Sequence, residues 1–158
     1  MRLEPLDYQF LATLKTRQLD AQNEPPLVLI AKGGEPLRDI FRRAVVGEEI
    51  LLASYSPQHH QSPYKEFGPI FVSKTCMQNQ KADLSTLITD HTESAYLGTQ
   101  FVVKAYNDDE HIVVADIATK TTAMNKISEY LMFDDVAYVQ LRFAAYGCYA
   151  AKVTRDSS

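Results

Sequence analysis

Apolar residues recur at helical spacing in four stretches of the chain, each with polar residues on the opposite side. Asp7, a residue type that caps helices, precedes the first stretch, in which Leu11 and Leu14 share one side. Thr121 or Thr122 stands in the same position before the last stretch. The pattern predicts helices over residues 8–19, 36–44, 81–90 and 122–131.

The second of these segments divides its apolar and charged residues between two helical faces. The apolar face comprises Leu37, Ile40, Phe41 and Ala44, and the charged face comprises Arg38, Asp39, Arg42 and Arg43. Pro36 suits the first position of a helix, and Gly47 is a common terminating residue. We therefore expect a surface helix that exposes its charged face to water.

Apolar runs between these segments predict strands. Leu27–Ala31 is most simply a short buried strand. In residues 49–55 both alternating faces are apolar, which favours a central strand covered on both sides. A polar connection at 56–63 interrupts the pattern, and Pro69 then opens a strand that continues to Ser73.

Two pairs of strands are joined by connections short enough for antiparallel hairpins. Strands at 100–106 and 111–117 flank four polar residues, and strands at 137–143 and 148–153 flank a turn at Gly147. The order of elements predicts an α+β fold, in which three to four helices pack on a largely antiparallel sheet with two hairpins.

Composition narrows the class of protein. The 158 residues are 46% hydrophobic and 23% charged, which favours a single globular domain over residues 1–158. A net charge of −4 provides no positive field for nucleic acid. No apolar run approaches the roughly 20 residues that span a bilayer, so we expect no membrane partner and a cytoplasmic location. Cys76 and Cys148 are too far apart for a metal or redox motif. Because the N-terminus lacks the pattern of a signal peptide, we expect both to be reduced thiols.

The polar loop at 56–68 carries residue types from which binding sites are built. His59 and His60 could shuttle a proton, whereas a metal site would need a third ligand that the sequence does not mark, so we expect no metal. Tyr64 as a donor and Glu66 as an acceptor could orient a ligand. The alternative is that these residues form no site: both histidines are solvated, the Tyr64 ring packs on the sheet and Glu66 faces water.

Two residues outside the loop complete the candidate site. Arg142 lies on the polar face of a strand, where its guanidinium could grip a carboxylate or phosphate through a bidentate contact. The alternative is an ion pair across the sheet with Asp116 or Glu48. Cys148, beside Gly147, would act as a nucleophile only if a cation or histidine activated it, and the alternative is an inert buried thiol.

Several segments together resemble a known family. The sequences SPYKEFGPIFV at Ser62–Val72 and RFAAYGCY at Arg142–Tyr149 carry the resemblance, with support from VGEEILLASY, KAYNDDEHIV and Val153–Arg155. The chain is similar, from about residue 35 onward, to a bacterial family catalogued as domain of unknown function 1203. The resemblance implies a compact soluble protein and implies no activity.

The chain departs from the pattern of that family in one segment. The family has a proline, a cysteine and an arginine ahead of the glycine-glutamate pair, with another cysteine shortly after. Pro36 and Arg38 match here, but Leu37 and Ile40 occupy the positions of the cysteines. Neither side chain supplies a thiolate, so a thiol or metal role for this segment is disfavoured.

Two classes of function fit these observations. The first is a small-molecule binding or sensing domain for an anionic ligand, with one wall at the 56–68 loop and Arg142 near the base, and with no cofactor implied. The alternative is a protein-interaction or homo-oligomeric module, favoured by the nine tyrosines. A metal-assisted hydrolase using His59, His60 and Glu66 ranks third. No phosphate loop, HExxH pair, nucleophile elbow or dinucleotide fingerprint identifies an enzyme.

Overall fold

The computed structural model describes residues 1–156, which form ten strands and three helices. The elements in chain order are β1 (Arg2–Glu4), α1 (Tyr8–Arg17), β2 (Leu27–Ile30), β3 (Pro36–Leu37), β4 (Arg42–Arg43), β5 (Glu49–Tyr55), β6 (Gly68–Ser73), α2 (Leu84–Thr89), β7 (Gln100–Tyr106), β8 (Ile112–Thr119), α3 (Ala123–Leu131), β9 (Tyr138–Phe143) and β10 (Tyr149–Thr154). Among these residues no helix combines the length and apolarity needed to cross a membrane.

The strands form two sheets of five strands each. The first sheet has the order β1-β10-β9-β7-β8 and is antiparallel throughout. The second has the order β2-β5-β6-β3-β4 and is antiparallel except where β3 meets β6. The α+β class is therefore confirmed at the coarse level, whereas the expectation of one sheet is wrong.

Helices cover one face of each sheet. Asp7 caps α1 by accepting a hydrogen bond from the Phe10 amide at 2.7 Å, as its position in the sequence predicts. Leu11 and Leu14 of α1 pack on the apolar face of β5 and β6. On the first sheet, α2 and α3 contribute to a larger core whose centre is the inward face of β7 and β9. Tyr149 of β10 joins the core under α1 and links the two sheets.

The strand at 27–30 is present but is not buried. β2 lies at the edge of the second sheet and pairs only with β5. Its residues Leu27, Val28, Leu29 and Ile30 are 59%, 56%, 37% and 60% exposed. Apolar composition alone does not distinguish an edge strand from a covered one, and the expectation of burial is wrong.

The helix expected at 36–44 does not form. The segment instead contains β3 and β4, each two residues long, joined by a turn in which Phe41 adopts a left-handed φ of 49°. The charged residues expected on a solvated face include Arg38 and Asp39, which are 1% and 0% exposed. Distant parts of the chain supply their partners, so the turn is more favourable than a helix that would leave both side chains in water.

Both faces of β9 are covered. Val139, Leu141 and Phe143 pack in the core with α3, as their alternation predicts. On the other face, Gln140 and Arg142 are also buried, at 0% and 7% exposure. The 56–68 loop crosses this face, because Glu66 of the loop pairs with Arg142.

Candidate ligand-binding cleft

The first part of the 56–68 loop is fixed by one buried carboxylate. Glu110, in the turn between β7 and β8, is 4% exposed and accepts hydrogen bonds from the backbone amides of His59 at 3.0 Å and His60 at 2.6 Å. A carboxylate that accepts bonds from two amides forms a strong anchor. Gln58, 2% exposed, is buried beside this contact. The sequence placed Glu110 in a polar turn, and nothing in its local pattern indicated this role.

The two histidine rings take no part in that anchor. His59 and His60 are exposed, and the ring Nδ1 of His60 lies 4.0 Å from the nearest oxygen of Glu110. Tyr64 is 42% exposed and packs against the ring of His111, with the ring centroids 5.2 Å apart. None of these candidates lines the cleft described below, and residues 1–156 contain no group of three metal-ligating side chains.

Arg142 is held from three directions. Its Nε donates to Gln140 Oε1 at 2.7 Å, its Nη1 donates to the Gly147 carbonyl at 2.9 Å, and its Nη2 donates to Glu66 Oε1. The expected partners, Asp116 and Glu48, instead pair with Lys126 and Arg42. The ion pair is asymmetric, since the side chain of Arg142 is 9% exposed and that of Glu66 is 47% exposed.

Three of the candidate residues line one cleft of about 160 Å³, which we call the Arg142 cleft. They are Glu66, Arg142 and Cys148. The remaining lining residues come from the 55–57 and 67–69 segments and from the turn at 146–149. Burial raises the pKa of Tyr55 and of Tyr149, so both phenols stay uncharged at neutral pH. The Arg142 guanidinium is thus the cation of this cleft.

A larger cleft of about 560 Å³ adjoins the first, and we call it the Arg38 cleft. The two clefts share Pro69, Tyr146 and Cys148. The second also contains Arg38 and Arg43. The clefts together form a groove bordered by strands of both sheets and by the 146–148 turn.

Arg38 is the principal residue that sequence reasoning missed. Its Nε donates to the Tyr149 carbonyl at 2.9 Å, its Nη1 donates to the Pro36 carbonyl at 2.6 Å, and its Nη2 lies 3.1 Å from Cys148 Sγ. The guanidinium also lies 4.9 Å from the centroid of the Phe143 ring. The match of Pro36 and Arg38 to the family pattern was a signal that this position differs from an ordinary surface arginine.

Arg43 also lines the Arg38 cleft. Its Nε donates to the Ala95 carbonyl at 2.8 Å and its Nη2 donates to the Tyr96 carbonyl at 3.0 Å. Its guanidinium lies 5.8 Å from the centroid of the Phe143 ring. Arg43 therefore ties the β4 segment to the segment before β7.

A second buried ion pair lies between α1 and the 36–43 segment. Lys15 Nζ is 3.5 Å from Asp39 Oδ2, and the two side chains are 2% and 0% exposed. Asp39 also accepts a hydrogen bond from the Ser73 amide at 3.0 Å. Burial lowers the pKa of Lys15 and raises the pKa of Asp39, because each charge is removed from water. The pair attaches α1 to the second sheet.

Comparison with known proteins supplies a family and no activity. The family model described as protein of unknown function (DUF1203) matches residues 34–155, which is most of the chain. No curated protein and no solved structure matches the chain. The match includes the Arg142 cleft, the Arg38 cleft except for Gly33, and the 56–68 loop that borders the first of them. The chain belongs to the DUF1203 family.

Proposed function

We propose that the protein binds a small anionic ligand, such as a carboxylate, in the Arg142 cleft. The observation that carries the proposal is the asymmetric pair of Arg142 and Glu66. The buried guanidinium already donates to a carboxylate on the side of the cleft, and that carboxylate belongs to a half-exposed side chain on a loop. A ligand carboxylate that took the place of Glu66 would form the same charge-assisted hydrogen bond.

Glu66 is free to leave, whereas Arg142 is not. If the pair with Arg142 breaks, the Glu66 carboxylate regains contact with water. This hydration limits the free-energy cost of breaking the pair. Around Glu66 the loop is held by local bonds, such as that from the Lys65 amide to the Ser62 carbonyl. Arg142 stays in place through its bonds to Gln140 and Gly147. Glu66 thus acts as an internal competitor for the ligand.

The adjoining cleft provides room for the rest of a ligand. About 160 Å³ in the Arg142 cleft fits a small anionic group, and the Arg38 cleft adds about 560 Å³. Arg43, which lines that cleft and is only partly buried, favours a ligand with a second anionic or polar end.

Calorimetric titration with acetate, succinate and phosphate tests this proposal. Arg142→Lys should weaken binding about tenfold or more, since an ammonium lacks the planar fork and a charge-assisted bond contributes roughly 1.5 to 3 kcal/mol. Glu66→Gln should tighten binding several-fold because it weakens the internal competitor.

A second ion pair in the same chain supplies matched controls. Arg42 and Glu48 form an ion pair at 2.7 Å that lines neither cleft. Arg42→Lys and Glu48→Gln should leave binding unchanged. The proposal fails if no anion binds to the wild type or to Glu66→Gln, or if Arg142→Lys and Arg42→Lys change the affinity equally.

A further inference from the structure

The edge strand β2 exposes an apolar surface that the proposed ligand site does not use. Its residues Leu27–Ile30 carry no charge, and the least exposed of them, Leu29, is 37% exposed. Val45 and Val46, which are 65% and 79% exposed, extend the surface beyond Ala31. We propose that β2 pairs antiparallel with β2 of a second copy of this chain, which makes one continuous sheet across the two copies.

The other sheet edges of residues 1–156 are protected, and β2 is not. Unpaired strand edges in monomeric proteins commonly carry charges that prevent pairing with another chain. β1 contains Arg2 and Glu4, β4 consists of Arg42 and Arg43, and β8 contains Asp116. The contrast indicates that pairing is prevented at three edges and allowed at the fourth.

The backbone of β2 defines the register of this pairing. The Ala31 amide donates to the Glu48 carbonyl at 2.8 Å and the Ala31 carbonyl accepts from the Gly47 amide at 3.0 Å, so the polar groups of Ala31 point along the sheet toward β5. Alternate residues of a strand point the same way, which turns Leu29 toward β5 and Val28 and Ile30 toward the open edge. An antiparallel pairing centred on Leu29 places Val28 opposite Ile30 of the second copy, where each pair exchanges both of its N–H···O bonds.

The residues that flank this ladder fit the same register. Pro26, which has no amide hydrogen, falls opposite Lys32 of the second copy. The Lys32 amide already donates to Glu35 Oε1 at 2.7 Å, so no open donor is left facing the proline. The ladder therefore ends after Val28 and Ile30 without an unpaired amide.

Charge at the two ends of β2 is complementary in the same arrangement. Glu24 precedes the strand and Lys32 follows it, both are exposed, and neither belongs to an ion pair of residues 1–156. In the antiparallel dimer, Lys32 of each copy lies about two residues, or roughly 7 Å, along the strand direction from Glu24 of the other. This arrangement favours a second copy over an unrelated partner, because the same strand supplies both charges.

Sedimentation velocity over a wide range of concentrations tests the proposal, since the expected dimer has twice the mass of the chain. Ile30→Lys should raise the dissociation constant at least tenfold by placing an ammonium against the apolar ladder of the second copy. Ile117→Lys is a matched control, because Ile117 lies on the edge strand β8 and is 59% exposed against 60% for Ile30. It should leave the dissociation constant unchanged.

Some results would overturn the proposal. A wild-type chain that stays monomeric at every concentration would do so, as would a series of masses growing beyond the dimer or an equal effect of the two lysine variants. Circular dichroism of Ile30→Lys should match that of the wild type, because the substituted side chain is exposed in the monomer.

Hydrogen exchange tests the register independently. The amides of Val28 and Ile30 should become protected as the concentration of the chain rises, while protection of the Leu29 amide, which faces β5, should not depend on concentration. Lys32→Glu should weaken the dimer several-fold, and Glu24→Lys in the same chain should restore it. Protection of Leu29 that changes in parallel with that of Val28, or a double variant no tighter than Lys32→Glu alone, would reject this register.

Discussion

Two segments, 36–43 and 56–68, carry charged side chains near the groove. They differ in how far water can reach those side chains and their partners. In the first, Arg38 donates hydrogen bonds to two backbone carbonyl oxygens, and Asp39 pairs with Lys15 where both side chains are buried. The second contributes the half-exposed carboxylate of Glu66, which pairs with the buried guanidinium of Arg142 on β9.

The difference separates a structural arginine from one available for binding. Main-chain carbonyls cannot leave Arg38 without moving the backbone of β3 and β10, so its contacts serve the fold. The side chain of Glu66 can rotate into water and free the Nη2 group of Arg142. A cation whose partner can be exchanged is suited to ligand recognition, whereas a cation with fixed partners is suited to stability.

The largest expected effect on stability comes from substituting Arg38 in the 36–43 segment. Arg38→Ala should lower the free energy of unfolding by about 3 to 5 kcal/mol, since the carbonyls of Tyr149 and Pro36 lose their donors and each unsatisfied buried group costs roughly 1 to 3 kcal/mol. Urea denaturation measures the change. Arg42→Ala, which removes an exposed arginine, should cost less than about 1 kcal/mol. Equal losses for the two variants would mean that Arg38 is not a structural anchor.

A smaller effect should follow when Lys15 is removed. Lys15→Met leaves the Asp39 carboxylate buried without its cation and should cost about 3 kcal/mol near neutral pH. Asp39→Asn in the same chain should recover much of that loss, because no buried charge remains. Urea denaturation of both variants gives the two free energies, and a double variant less stable than Lys15→Met would contradict the explanation.

The same pair predicts a pH dependence of known sign. Burial raises the folded-state pKa of Asp39 above its ordinary value of 3.8, so the folded state binds this proton more tightly than the unfolded state. This residue's contribution to stability therefore falls as pH rises from that ordinary value through the raised one. The fall should be larger and extend to higher pH in Lys15→Met, because loss of the ammonium raises the pKa of Asp39 further, and it should be absent in the double variant. Unfolding measured from about pH 4 to about pH 8 checks the sign.

The smallest expected loss tests the anchored part of the 56–68 loop. Glu110→Ala removes the acceptor of the His59 and His60 amides and should cost about 1 to 2 kcal/mol. Exchange of those two amides should accelerate in the same variant. Asp109→Ala, at an exposed position in the same turn, should change neither quantity. Unaltered exchange in Glu110→Ala would show that the loop is held by other contacts.

The features that the sequence predicts well are those whose causes lie nearby in the chain. Asp7 caps α1 through an amide three residues away. Strands β7 and β8 pair across a short polar turn. In each case a few consecutive residues contain both the signal and its partner.

The remaining features depend on residues that are distant in sequence. The 36–44 segment has the spacing of a helix, but Arg38 bonds to residues 110 and 111 positions away, and Asp39 bonds to Ser73. Arg142 and Glu66 are 76 positions apart, so their pairing could not be chosen from the candidates on neighbouring strands. Periodicity describes which side chains share a face of an element and does not specify what covers that face.

The position of Arg38 in the chain also sets a delay during protein synthesis. The Tyr149 carbonyl that accepts its Nε bond is made 111 residues after Arg38 itself. At a translation rate of about 5 to 20 residues per second, that interval is roughly 6 to 22 s. Throughout it, the growing polypeptide contains a guanidinium whose final acceptor has not been synthesised, and the 36–43 segment reaches its native form only after β10 emerges from the ribosome.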